Sequence, residues 1–118
     1  MIERQLRRGD IYWVEWEPAR GSEQAGRRPS LVIQEYAGNA NPKYPNSIVL
    51  AITTKSRGAA SQVSLNPSVG NGLTELSFVK CEQVITISKQ RLVKHIGTLE
   101  SADMSRVGLA LKKMFELQ

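Results

Sequence analysis

Residues 11–16 read Ile-Tyr-Trp-Val-Glu-Trp, a β-rich run bounded by Gly9-Asp10 and Pro18, and the pattern predicts a strand. Residues 30–36 and 47–54 predict two more. Both are more continuously apolar than the first, which expects them in the middle of a sheet or barrel, covered on both faces. Between them, residues 37–46 (AGNANPKYPN) are dense in Gly, Asn and Pro and too many for a tight turn, so a surface loop is expected. Residues 62–66 alternate, and 76–79 are again β-like. Residues 67–72 (PSVGNG) separate them, with Asn71-Gly72 suited to positive φ, and a hairpin is predicted. Residues 82–88 form another extended segment with β-branched Val84, Ile85 and Ile87.

After residue 100 the period changes. Met104, Val107, Leu111 and Met114 fall at helical spacing, and Leu109, Ala110, Phe115 and Leu117 widen the apolar face. Ser101 is the expected N-cap, Asp103 suits the first turn, and Lys112 and Lys113 suit the last turns. A shorter helical turn is expected over 88–93. Five or more short strands followed by a helix predict a mainly β, α+β fold: a partly open β-barrel closed by a C-terminal helix. The 118 residues form one domain, 1–118.

One stretch does not serve a core. Residues 19–29 hold Gly21, Ser22, Glu23, Gln24, Gly26, Arg27 and Arg28 with hardly any apolar bulk, between two strands. A polar, charged loop on a rigid support is a place for a site. Sixteen Lys and Arg against eleven Asp and Glu give a net charge of +5, a sign that fits an anionic partner such as nucleic acid. A single cysteine, Cys81, excludes a disulfide within the chain and a cysteine-rich zinc site. The N-terminus lacks the apolar stretch of a secretory signal, and no run approaches the ~20 apolar residues of a membrane span. A cytoplasmic protein without a membrane partner is expected.

The single histidine, His95, excludes a two-histidine ribonuclease and a His-rich metal site. A Cys81–His95 nucleophile pair is disfavoured, because Cys81 falls inside a predicted strand, where small buried cysteines are inert packing. His95 is expected to be a surface or packed residue. With no D-x-D pair or carboxylate cluster, a nuclease of this composition is expected to work without a metal or other cofactor. RNA offers such an enzyme its own 2′-hydroxyl as nucleophile. The protein then orients the attack, moves two protons and stabilises charge on the phosphorane oxygens. Arginine suits the last task because its planar fork engages two oxygens and stays charged.

The blocks RGDIYWVEWEP (8–18), GSEQAGRRPSLVIQ (21–34), IVLAITT (48–54) and CEQVITISKQRL (81–92) resemble the MazF/PemK toxins of bacterial toxin–antitoxin systems. Together with the terminal helix they cover essentially the whole chain. The resemblance implies an SH3-like, partly open barrel of the MazF/CcdB superfamily and a homodimer with a groove formed by both subunits. It implies sequence-specific cleavage of single-stranded RNA, including mRNA, to 2′,3′-cyclic phosphate and 5′-hydroxyl ends. A MazE-like antitoxin with an acidic tail that folds on binding is the implied partner.

The family's phosphate-binding arginine corresponds to Arg28, and its strand-end threonine to Thr53. Glu23 and Glu82 are the candidate proton carriers. Lys80-Cys81-Glu82-Gln83 stands where one branch has arginine, cysteine, an acidic residue and glutamine, so lysine keeps the charge but loses the fork. Ser22, Gln24, Arg27, Lys55, Arg57, Lys80 and Gln83 are candidate RNA contacts, with Gln24 and Gln83 expected mainly to hold their loops. Lys43 is placed with Lys55 and Arg57 at the same strand ends. Tyr36 and Tyr44 are candidate base-stacking residues, whereas Trp16 is expected to pack. Relatives carry an arginine where Ile85 stands, and the loop after Gln34, longer here, borders the groove in the family. Two alternatives stay open. One is a non-catalytic RNA- or protein-binding module of the same fold. The other is a gyrase-directed toxin like CcdB, disfavoured because the chain ends in FELQ and not in Trp-Gly-Ile.

Overall fold

The computed structural model describes residues 5–16 and 26–118. Among these residues the chain forms six strands and two helices. In chain order they are Asp10–Trp16 (β1), Gly26–Val32 (β2), Tyr36–Ala40 (α1), Asn46–Thr53 (β3), Gln62–Leu65 (β4), Ser77–Ser88 (β5), Leu92–Thr98 (β6) and Ser101–Met114 (α2). A 3-10 turn, Lys89–Arg91, links β5 to β6 where a short helical turn is expected. The strands make one antiparallel sheet in the order β4-β5-β3-β2-β1-β6.

The continuously apolar runs are central because both faces of the sheet are covered there. Side chains alternate along a strand, so Leu31 and Leu50 point to one side and Val32 and Val49 to the other, and all four are fully buried. On the first side Ile11, Leu31, Leu50, Ile52, Leu65, Val79 and Cys81 pack with Leu99 and with Val107 of α2. On the second, Tyr12, Val14, Val32, Val49 and Ile87 form a smaller cluster flanked by Leu6, Trp16, Ile85 and Leu92. Arg106 pins α2 to the outer strand, donating to the Ser64 carbonyl at 2.8 Å and to Asp103 at 2.9 Å.

The sheet does not close by strand pairing: β4 and β6 are its two edges. The 66–72 loop spans the seam between them. The Thr98 N–H donates to the Gly70 carbonyl at 2.8 Å. Asn71, fully buried, holds the loop in shape by accepting from the Ser68 and Leu73 N–H groups at 3.0 and 2.9 Å and donating to the Asn66 carbonyl at 2.9 Å. The two backbones meet so closely that a Cβ on Gly97 would lie 2.4 Å from the Asn71 carbonyl carbon. A Cβ on Gly72, at φ +70°, would lie 2.3 Å from the Ile96 oxygen.

Several expectations need correction. β2 begins at Gly26 and ends at Val32, so it already includes the two arginines. The expected 37–46 loop opens with α1, over a buried network in which Gln34 donates to Asn39 at 3.0 Å and Ser47 donates to Asn39 at 2.7 Å. Segments 76–79 and 82–88 are halves of one bent strand, β5. The sixth strand, β6, was not expected, because its pairing with β1 shifts register twice and breaks the alternation. Ser101 is not the N-cap: Glu100 holds that position without a side-chain cap bond, and its carboxylate accepts from Ser68 at 2.6 Å.

The seam yields a stability prediction. Gly97→Ala forces a methyl into backbone that cannot yield, and is expected to cost about 2 kcal/mol or more. Gly108→Ala, inside α2 with open space around it, is expected to gain about 0.5–1 kcal/mol. Urea unfolding of both variants checks the pair, and equal stabilities would remove the argument.

Candidate active site

The pairing of β2 with β3 decides which polar residues meet. Ser30 lies opposite Ala51, the last pair of that ladder, and Arg28 and Thr53 each lie two residues beyond it at the same end of the two strands. On its other side Arg28 pairs with Val14 of β1, and Arg27 with Glu15. Arg28 shares its face with Ser30 and Val32, and Thr53 shares its face with Ala51 and Val49. Both therefore stand on the side away from α2, at one end of the sheet.

The neighbouring strand breaks its regular pairing at the same level. Leu50 pairs with Val84 but Ile52 with Val79, so two steps along β3 are matched by five along β5. Residues 80–83, Lys-Cys-Glu-Gln, bulge out opposite Ala51. Bulges re-aim side chains beside sites, and alternation from Val79 and Cys81 turns Lys80 to the side of Thr53. The structure thus gathers Arg28, Thr53, Lys80, Glu82 and Gln83 around the ends of three adjacent strands.

Local bonds set the state of each group. Arg28 is half-buried, and its Nε is buried without a hydrogen-bond partner among the described residues. Ser30 Oγ, fully buried on the same face, is also without one. Thr53 Oγ1 accepts from the Lys55 N–H at 3.1 Å, which leaves its own proton to donate. Glu82 is exposed and accepts from Ser61 Oγ at 3.0 Å, while the Ser61 carbonyl accepts from the Cys81 N–H at 3.1 Å. The Arg57 N–H donates to Gln62 Oε1 at 3.0 Å, so the 54–61 loop is tied to both strand ends and leaves the Lys55 and Arg57 side chains exposed. Arg27 is exposed and lies 3.7 Å from Glu15, a solvated pair worth little to stability. Ser22, Glu23 and Gln24 lie outside the described residues.

Other expected candidates fall elsewhere. Tyr36, Lys43 and Tyr44 belong to the 34–46 segment, at the opposite end of β2 and β3 from Arg28 and Thr53, because that segment joins the far ends of the two strands. There Arg7 stacks on Tyr36 at 4.7 Å and Lys89 lies 5.9 Å from the Tyr44 ring centre. A groove of about 640 Å³ at that end is lined by Ile33, Glu35, Tyr44 and Ile48 among others, and by none of the candidate phosphate-binding residues. Trp16 packs against the second cluster, as expected.

Cys81 and His95 do not meet. Cys81 is on β5 with its side chain in the α2-side core; His95 is on β6, with three strands between them in the sheet. His95 sits edge-on to Tyr12 at 5.3 Å, its Nε2 3.5 Å from the buried Asp10 carboxylate. Burial, helped by the Glu82 charge, pushes the Cys81 thiol up to about 11, so it is neutral and a poor nucleophile at ordinary pH. Among the described residues no three His, Cys, Asp or Glu side chains come together as a metal site, and no helix is long and apolar enough to cross a membrane. Sequence reasoning missed Ser30 and Ser61. Ser30 was legible as the residue two beyond Arg28 on one strand face; Ser61 carries no local signal.

Residues 7–115 match the family described as PemK-like, MazF-like toxin of type II toxin–antitoxin system. The chain is 38% identical over 108 residues to Endoribonuclease EndoA of Bacillus subtilis, spanning 91% of each protein. It is 37% identical over 109 residues to Endoribonuclease MazF of Staphylococcus saprophyticus, spanning 90% of this chain and 88% of that protein. Its fold superposes on the toxin in a crystal structure of MazE-MazF from Deinococcus radiodurans with a TM-score of 0.79, at 20% identity, over 98% of this chain and 100% of that one.

The buried thiol gives a pH prediction. The folded chain holds a proton on Cys81 that the unfolded chain releases near pH 9.0. This contribution is complete below pH 9 and is lost as pH rises toward about 11, by about 2–3 kcal/mol. Urea unfolding across that range is expected to show a shallower decline in Cys81→Ala. Parallel declines would mean that the thiol does not titrate late.

Proposed function

Because the chain belongs to the family of PemK-like, MazF-like toxins of type II toxin–antitoxin systems, we propose that it is an endoribonuclease toxin that cuts single-stranded RNA at a short sequence without a metal ion. The observation that carries this reading is that Arg28 and Thr53 each lie two residues beyond the last β2–β3 pair, Ser30 with Ala51, at one end of adjacent strands and on a face with unmet hydrogen-bonding capacity. The substrate's 2′-oxygen attacks the adjacent phosphorus and the bond to the 5′-oxygen breaks. The products are a 2′,3′-cyclic phosphate and a 5′-hydroxyl.

Each residue has a part set by its chemistry. Arg28 binds the non-bridging oxygens, where negative charge grows in the transition state. Thr53, its oxygen already engaged by the Lys55 N–H, donates its proton to the same phosphate. Glu82, steadied by Ser61, or Glu23 takes the proton from the 2′-hydroxyl, and the departing 5′-oxygen takes up a proton from the carboxylic acid so formed or from water to become the 5′-hydroxyl. Lys80 adds a second positive charge without a bidentate fork. Arg27, Lys55, Arg57, Ser22, Gln24 and Gln83 hold the flanking nucleotides or the loops around them, and the phosphate contacts make binding weaken with salt.

The protein acts in the cytoplasm as a homodimer restrained by a MazE-like antitoxin. Supporting this are the toxin–antitoxin family match and the MazE-MazF structure whose toxin shares the fold. Apolar Leu109, Phe115 and Leu117, left exposed at the end of α2, offer a surface to a second copy.

The test is a long RNA incubated with protein in excess chelator. The wild type is expected to cut it at a recurring sequence. Arg28→Ala is expected to be about 100- to 1000-fold slower, the range for removing one donor from a developing oxyanion, and sequencing of the new 5′ ends reads the recognised bases. Intact RNA with the wild type would favour a non-catalytic binding module; equal cutting by Arg28→Ala would remove the arginine from the chemistry.

A further inference from the structure

Among the described residues, three buried side-chain polar atoms lack a hydrogen-bond partner: Arg28 Nε, Ser30 Oγ and His95 Nε2. The last has the Asp10 carboxylate 3.5 Å away. The first two are on one strand and one face, two residues apart. Buried unpaired polar atoms are rare because each loses its water without replacement, and two together at the phosphate-binding end of a sheet call for a physical cause.

Their chemistry is complementary. Arg28 Nε–H only donates, and Ser30 Oγ accepts on two lone pairs while its own hydrogen rotates freely. Same-face neighbours on a strand are roughly 7 Å apart at Cα, a span that the arginine stem covers. Ser30 is fully buried, with Tyr12 and Ala51 as its register neighbours on either side. Substrate therefore does not reach it, whereas Arg28 shares its strand face two residues away.

We infer that Ser30 is a positioning residue for Arg28: with RNA bound, Arg28 Nε–H donates to Ser30 Oγ and fixes the guanidinium plane. The guanidinium is rigid and planar, so fixing Nε also fixes the direction of both terminal nitrogens, which face the scissile phosphate. Without that bond the side chain keeps its rotational freedom, and the fork meets the phosphate in several orientations of which few match the transition state. The free chain holds the two groups unpaired, and the pair closes as the phosphate draws the guanidinium into line. This inference rests on the reading of Arg28 as the phosphate ligand.

Single-turnover cleavage of a long RNA by the wild type, Ser30→Ala, Arg28→Lys and the double variant tests it. Ser30→Ala is expected to cut about tenfold more slowly, with the protein concentration for half-saturation changed less than twofold. Its thermal stability is expected to equal or exceed that of the wild type, because an unpaired buried hydroxyl has been removed. A lysine at 28 has no Nε–H, so Ser30→Ala is expected to change nothing further in that background. An equal loss in both backgrounds, a loss that tracks a lowered melting temperature, or an unchanged rate in Ser30→Ala overturns the inference. A wild type that does not cut, or an Arg28→Lys as fast as wild type, overturns instead the reading on which it rests.

Discussion

The structure depends on the register between β2 and β3. Both strands are buried on both faces, with Leu31 and Leu50 on one side and Val32 and Val49 on the other. A slip of one residue would turn every one of these side chains to the wrong layer, so the two-sided core fixes the pairing more firmly than a one-sided sheet could. Ser30 against Ala51 follows, and Arg28 and Thr53 come to the same end of the sheet, two residues beyond that pair. Hydrophobic packing well inside the sheet thus sets the position of two polar groups at its end.

The candidate site lies where this regularity stops. Beyond Ser30 and Ala51 the β2–β3 ladder gives out, and β5 throws residues 80–83 into a bulge at the same level. A regular ladder uses its backbone groups on itself and holds its side chains in fixed alternation; a broken one frees both. At the other weak place, the seam between β4 and β6, the 66–72 loop fills the gap instead, with Asn71 satisfying the turn and two glycines letting backbone touch backbone. One irregularity is sealed by a loop, and the charged residues gather at the other.

The same contrast explains what was legible in the sequence. The central strands could be read because two-sided burial writes an uninterrupted apolar run, and α2 because its period changes to that of a helix. β6 could not: LVKHIGT mixes charges with apolar residues, and its two register shifts against β1 erase the alternation. α1 was hidden because Gln34, Asn39 and Ser47 order it through side-chain bonds that no local pattern shows. In the site, Arg28 and Thr53 were recognisable as residues through the resemblance, but that they come to the same end of adjacent strands is shown only by the pairing of Ser30 with Ala51. Lys43 was misplaced for a related reason. Composition marks a residue as suited to RNA without saying which end of a strand it occupies.

The arrangement also narrows how protons can move. Arg28 stays charged at any working pH and Thr53 is neutral, so neither takes up a proton readily. Cys81, in the middle of the bulge, faces the α2-side core with its thiol held neutral, and His95 is on β6, beyond β3, β2 and β1, beside Asp10. Among the described residues at this end of the sheet, the exposed carboxylates include Glu82 in the bulge and Glu15, which lies 3.7 Å from Arg27. Ser61 donates to one oxygen of Glu82 and leaves the other free to accept. A permanent cation on β2 and an exposed carboxylate on β5 are separated by the strand that carries Thr53. The separation follows from strand order, because β3 lies between β2 and β5 and holds the two groups apart so that they do not pair with each other.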